Sequence, residues 1–108
     1  MMIPTIVYVT ASSREEALKI ARHAVEQRLA ACANVIPGVT SVYWWESKLQ
    51  EEGEVSLILK TRRDLVDRLV AAVKALHSYT CPCVVAVPLS GGNPAFLDWI
   101  VKETQPAA

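Results

Sequence analysis

The sequence predicts an α+β fold: an antiparallel four-stranded sheet with two long helices on one face and a short third helix at the C-terminus. Three observations predict it. Apolar β-branched runs alternate with stretches of helical period in the order βαββαβ plus α. Turn-forming residues punctuate those runs at Ser12-Ser13, Ser47 to Gly53 and Gly91-Gly92-Asn93. The 108 residues, 52% of them hydrophobic, suffice for one core without metal or disulfide staples. A single domain over residues 1–104 follows, with residues 105–108, which include Pro106, expected as a loose tail.

Each element has its own signal. Ile3 to Ala11 is β-branched and aromatic and stops at Ser12-Ser13, which makes it the first strand. Ser13 and Glu16 have capping-box spacing, and Leu18, Ala21, Val25 and Leu29 then recur as the apolar stripe of a first helix. Cys32 to Glu46 is a long second strand, kinked where Pro37-Gly38 removes a ladder donor and invites a bulge. The polar stretch Ser47 to Gly53 is expected as a turn, and Glu54 to Thr61 alternates as the third strand of the hairpin. Thr61 or Asp64 is the expected cap of a second helix, whose Leu65, Leu69, Val73 and Leu76 share a face while Asp64 and Arg68 pair at i,i+4. His77-Ser78-Tyr79 closes that helix. Cys83 to Pro88 is a short fourth strand, and Asn93-Pro94 caps and starts a last helix carrying Leu97, Ile100 and Val101. This order is that of the ferredoxin-like sandwich.

Neither face of these strands is polar. Val42, Tyr43, Trp44 and Trp45 are consecutive, as are Ile6 to Val9 and Val84 to Val87, so large apolar groups stand on both sides of the sheet. The last helix is too short to cover the second face, and a closed homo-oligomer is the economical solution. With 11 basic and 11 acidic residues the chain has no basic excess, which argues against nucleic acid and anionic membrane as partners. Met1 to Thr10 lacks a basic n-region and a small-residue cleavage site, no apolar run approaches a membrane span, and three cysteines do not form a disulfide framework. A reducing, cytoplasmic location is expected.

The candidate chemistry is confined to a few residues. Cys81-Pro82-Cys83 offers two thiols suited to a soft ion such as Cu(I), although free cysteines also serve as small core groups. His77, at a helix C-terminus, reads either as a cap favoured by the helix dipole or as a ligand that the three-residue loop to Cys81 brings to a thiolate. Cys32, between Ala31 and Ala33, reads as core before ligand. Lys60 is the one charge inside an apolar strand; it must snorkel, pair with Glu46 on the adjacent strand, or face a cleft that Tyr79 and Trp45 also line. Gly91-Gly92-Asn93 is explained by a turn and a cap. No nucleophile with its base, paired carboxylates or phosphate loop is apparent, so an enzyme is not expected.

Read end to end, Arg28-Leu29-Ala30-Ala31-Cys32-Ala33-Asn34-Val35-Ile36-Pro37-Gly38-Val39-Thr40-Ser41-Val42-Tyr43-Trp44-Trp45-Glu46 resembles the signature of the CutA family, the divalent-cation tolerance proteins. Leu59-Lys60-Thr61-Arg62, Ala75-Leu76-His77-x-Tyr79 with Pro82, and Gly92-Asn93-Pro94 ahead of Leu97-x-Trp99 extend the resemblance from about Val7 to Trp99. It implies a ferredoxin-like subunit in a PII-like homotrimer built through the long hairpin, a lateral intersubunit cleft holding Lys60, Tyr79, Trp45 and Glu46, and an association with copper or another divalent metal. The chain departs from the family pattern at Ser78, where proline is usual, and at Cys83, where glutamate is usual. The family's proposed copper ligands fall on Val9, Leu76 and His77, of which only His77 can ligate. The expected metal set is therefore His77, Cys81, Cys83 and Cys32. The expected function is metal binding in divalent-cation tolerance; the alternative is a PII-like sensor of a small metabolite, or a trimeric scaffold for a protein partner.

Overall fold

A computed structural model of the chain describes residues 2–105. Its elements are β1 (Pro4–Ala11), α1 (Arg14–Glu26), β2 (Cys32–Trp45), β3 (Lys48–Arg62), α2 (Val66–Leu76), β4 (Val84–Pro88) and α3 (Pro94–Glu103). The strands form one antiparallel sheet in the order β2-β3-β1-β4. No helix among the described residues is long and apolar enough to cross a membrane.

Strict alternation divides the sheet into two faces. Along β1, Thr5, Val7, Val9 and Ala11 are buried; Val7 and Val9, with Leu57 and Leu59 of β3, meet Ile20 and Ala24 of α1 and Leu69 and Val73 of α2, while Ala11 packs with Ala17 and Val55. Ile6, Tyr8, Ile58, Val85 and Val87 point the other way, where α3 lies by the start of β1 and the end of β3 and the segment after α2 reaches Glu54. Val85 and Val87 remain more than half exposed.

The helices differ in detail from the expected pattern. In α1 the buried stripe is Ala17, Ile20, Ala21 and Ala24; Leu18 is half-buried and Val25 is exposed. The small residues let α1 lie close on the sheet. Leu29 is buried beyond the helix, in a Schellman turn where its N–H reaches Ala24 O and the N–H of Arg28 reaches Val25 O. Ser13 caps α1 as expected by accepting from the Glu16 N–H, but the Glu16 carboxylate accepts from Ser12. Neither Thr61 nor Asp64 caps α2. The Thr61 hydroxyl donates to Leu29 O at 2.6 Å, Asp64 lies 3.2 Å from Arg62 Nε, and α2 grows from a 3-10 turn over Arg63–Leu65. Arg68, expected to pair with Asp64, donates to Gln105. Gln105 is therefore no loose tail: its N–H and side-chain amide also donate to Arg28 O and Gln27 O, each at 2.7 Å. The rest of the expected tail, residues 106–108, lies outside the described residues.

The largest difference is the hairpin. The stretch from Lys48 to Gly53, expected as a turn, is paired strand, and the connection is only Glu46-Ser47, both at positive φ as a two-residue type I′ loop requires. At Pro37-Gly38 the ladder shifts from Ile36↔Ser56 to Val39↔Glu54, placing one extra residue in β2. That residue exchanges the faces of the strand: before it Asn34 and Ile36 point to the open face, after it Ser41, Tyr43 and Trp45 do. The resulting arm carries Val42, Trp44 and Leu49 on its opposite face, each more than 60% exposed. It draws the subunit out to 43 Å in length.

Candidate functional site

The arm and the segment after α2 enclose a groove of about 660 Å³ on the open face of the sheet. Tyr8, Tyr43, Trp45, Glu52 and Glu54 line its strand side; Tyr79, Cys81 and Cys83 line the other. Register explains the strand side, since Ser41 opposes Glu52 and Val39 opposes Glu54 beyond the bulge. The Tyr79 hydroxyl donates to Glu54 at 2.8 Å and fastens the loop to β3. Burial, then Glu54, raises the Tyr79 phenol above its ordinary range. Desolvation followed by Glu52 and Glu54 raises Tyr43 in the same sense. Burial and then the charge of Glu54 also push up the Cys83 thiol, which favours the protonated form.

His77 underlies this loop and does not open onto the groove. Its side chain is fully buried, with Nε2 2.7 Å from Thr10 O, and its Nδ1 accepts the Tyr79 N–H at 3.1 Å. An acceptor at Nδ1 assigns the proton to Nε2, which donates to Thr10. Both nitrogens are thus engaged, and no lone pair is left for a metal. The imidazole caps no carbonyl of α2; it joins the loop to β1 and lies tilted against the Tyr79 ring, centroids 4.6 Å apart. Glu16 completes the anchor by accepting from the Ser78 N–H at 3.0 Å. Burial alone would raise its carboxyl, but the bonds from Ser78 and Ser12 prevail and hold it below the usual range.

The other expected site residues separate. Cys81 and Cys83 are exposed free thiols in the groove wall, whereas Cys32 is half-buried and opposes Lys60. Lys60 lies six residues along β3 from Glu54, about 20 Å of strand. It donates to Asn34 Oδ1 at 2.8 Å, with its ammonium 5.6 Å from the centre of the Phe96 ring of α3. Glu46, its expected partner, is at the tip of the arm, about 40 Å of strand away, so the pair does not form within a subunit. Trp45 and Tyr79 do share the groove. Among the described residues no group of three or more His, Cys, Asp or Glu side chains is gathered for a metal ion. Within one subunit the groove therefore offers a soft ion two thiols, with carboxylates beyond. Sequence reasoning missed Tyr8, Tyr43, Glu52 and Glu54; placing the hairpin loop at Glu46-Ser47 would have brought the last three onto one face.

Comparison with known proteins agrees with this architecture. A model of the CutA1 divalent ion tolerance protein family matches residues 5–103. The chloroplastic protein CutA 1 of Oryza sativa is 45% identical over 104 residues, covering 95% of this chain, which spans 59% of that protein's length. The structure of the divalent cation tolerance protein of Thermus thermophilus superposes with a TM-score of 0.93 at 43% identity, covering 95% of this chain and all of that one. The periplasmic divalent cation tolerance protein CutA of Archaeoglobus fulgidus gives 0.92 at 42%, with the same coverage. Relatives thus carry chloroplastic and periplasmic names, which lend the expected cytoplasmic location no support. With strand order, bulge and hairpin arm on one continuous frame, and with sequence and structure matching from β1 to α3, this chain belongs to the CutA1 divalent ion tolerance protein family.

Proposed function

We propose that the chain acts as a homotrimer that binds divalent or cuprous metal, copper foremost, and thereby contributes to divalent-cation tolerance as a binding protein and not an enzyme. The observation that carries the metal reading is the pair of exposed thiols, Cys81 and Cys83, opening on a groove that also holds Glu52 and Glu54 and that, among the described residues, no Lys, Arg or His lines. Two soft donors beside a negative field suit Cu(I) better than Mg²⁺ or Ca²⁺, which need several oxygen ligands at once. The uncovered Val85 and Val87 and the doubly apolar arm support the trimer. A reducing compartment such as the cytoplasm would keep the thiols free.

The test is a Cu(I) competition titration of the reduced protein beside Cys81→Ser, Cys83→Ser and His77→Ala variants, with native mass spectrometry of protein purified without added metal. The double thiol variant should lose about tenfold or more in affinity, while His77→Ala should not once its fold is verified. Because the Cys83 thiol is raised, its proton must leave on binding, so affinity should climb with pH across the neutral range. Equal affinity in all variants would remove the groove thiols from metal binding. The aromatic lining of Tyr43, Trp45 and Tyr79 favours the second reading, a metabolite sensor, and a retained organic ligand in the mass spectrum would select it.

A further inference from the structure

We propose that His77 and Glu16 form a proton-operated clamp on the segment that joins α2 to β4, closed while the imidazole is neutral and released when it gains a proton. The contacts that make the clamp lie inside one subunit, and the His77 side chain is fully buried there, so assembly with further copies neither covers it nor opens it. Neutral His77 is wired for one backbone geometry. Its Nε2 donates to Thr10 O of β1 at 2.7 Å, and its bare Nδ1 accepts the Tyr79 N–H at 3.1 Å. A second proton has only Nδ1 to go to, where it confronts the Tyr79 N–H, donor against donor. The acceptor standing ready is Glu16 Oε1 of α1, 3.8 Å from Nδ1: out of hydrogen-bond reach of the neutral ring, and of the right charge for an imidazolium.

The surroundings leave that exchange open. Among the described residues Glu16 makes no ion pair with Lys or Arg, and the bonds from Ser78 and Ser12 keep it ionised. The other titratable group against the ring is Tyr79, whose raised phenol stays neutral and donates to Glu54 of β3; β1 contributes the Thr10 carbonyl, and no charged side chain of α2 pairs with the ring. A proton on His77 therefore trades one partner for another. The ring turns from the Tyr79 amide to the Glu16 carboxylate, and Glu16, drawn toward the ring, is drawn off the Ser78 N–H that it accepts at 3.0 Å. One ionisation thus frees both amides that fix the start of the segment, while the bond from the Tyr79 hydroxyl to Glu54 keeps its far side tethered. The outcome is local loosening from Ser78 onward and not unfolding. A buried histidine with a carboxylate just out of reach is a bistable element that pH biases.

The experiment is amide hydrogen exchange on the metal-free full chain, in its native oligomeric state, from about pH 8 to about pH 5, beside nitrogen-15 spectra of the imidazole. At the alkaline end the ring should show the Nε2–H tautomer. Across its titration the protection factors of Ser78 and Tyr79 should fall about tenfold, roughly the loss of one hydrogen bond each, while Val7 and Leu57 in the sheet keep theirs. His77→Gln, whose amide can donate to Thr10 O but cannot titrate, should abolish the step. Glu16→Gln should move the step to lower pH, because the imidazolium then lacks its carboxylate, and this variant carries the test if His77→Gln does not fold. An Nδ1–H tautomer, a ring still unprotonated at about pH 5, or protection at Ser78 and Tyr79 that ignores the titration of the ring would each overturn the proposal. So would a step that survives His77→Gln or stays in place in Glu16→Gln. With metal absent throughout, the outcome is independent of whether Cys81 and Cys83 bind an ion.

Discussion

Three residues without glycine's freedom hold positive φ: Arg28 at +56°, Glu46 at +50° and Ser47 at +64°. At Arg28 the strain is offset by the Schellman bonds and by the Glu103 carboxylate 3.3 Å away. At the arm tip nothing comparable is present, so Glu46→Asn with Ser47→Gly should stabilise the protein by about 1 to 2 kcal/mol in thermal or urea unfolding; no gain would mean that another loop geometry prevails in solution. A second prediction concerns Glu16. Its folded carboxyl lies below the ordinary 4.5, so its contribution is present above that value and is lost as pH falls through the folded pKa. Glu16→Gln should therefore be less stable than the native chain near pH 7, with the difference shrinking near pH 3; a constant difference in urea midpoint would contradict the assignment. His77 shows how far a residue can be read without its neighbours. Its place at the end of α2 was legible, but the Thr10 carbonyl and the Tyr79 amide that occupy its nitrogens come from the tertiary packing of β1 and the following loop.

The elements were legible where burial writes a pattern. β1 and the inner half of β3 lie on a core that fixes one face, so every second residue is apolar; α3 is announced by Asn93-Pro94, and Asn93 does accept from the Ala95 N–H. The outer half of β3 has no core beneath it. Gln50, Glu51 and Glu52 face solvent or the groove, polar composition mimics a turn, and pairing with β2 decides otherwise. The same circumstance leaves Val42, Trp44 and Leu49 without partners in the subunit. Val42→Lys with Trp44→Lys should leave the isolated fold intact, because neither side chain contributes to the core, yet should lower the mass seen in light scattering from that of the proposed trimer toward monomer. An unchanged trimer would place the contact on β4 and the open face instead.

At the scale of the molecule, the helices cover one face of the sheet, α3 covers part of the other, and the arm extends beyond both. The βαββαβ order could be derived from the chain because each strand and helix carries a local signal. The groove could not, because it joins two segments 25 residues apart, Tyr43 to Glu54 with Tyr79 to Cys83, and depends on which side of β2 its aromatics occupy. That side is chosen by the single extra residue at Pro37-Gly38. The bulge therefore behaves like a reading frame for side chains. If the same residues paired without the bulge, every later residue of β2 would slip one place along β3, turning Tyr43 and Trp45 away from Glu52 and Glu54 and bringing Val42 and Trp44 inward. Deleting one of the two bulged residues would instead leave the pairs of the arm and their faces as they are, so a single deletion should be tolerated at Pro37-Gly38 and punished elsewhere in the paired part of β2.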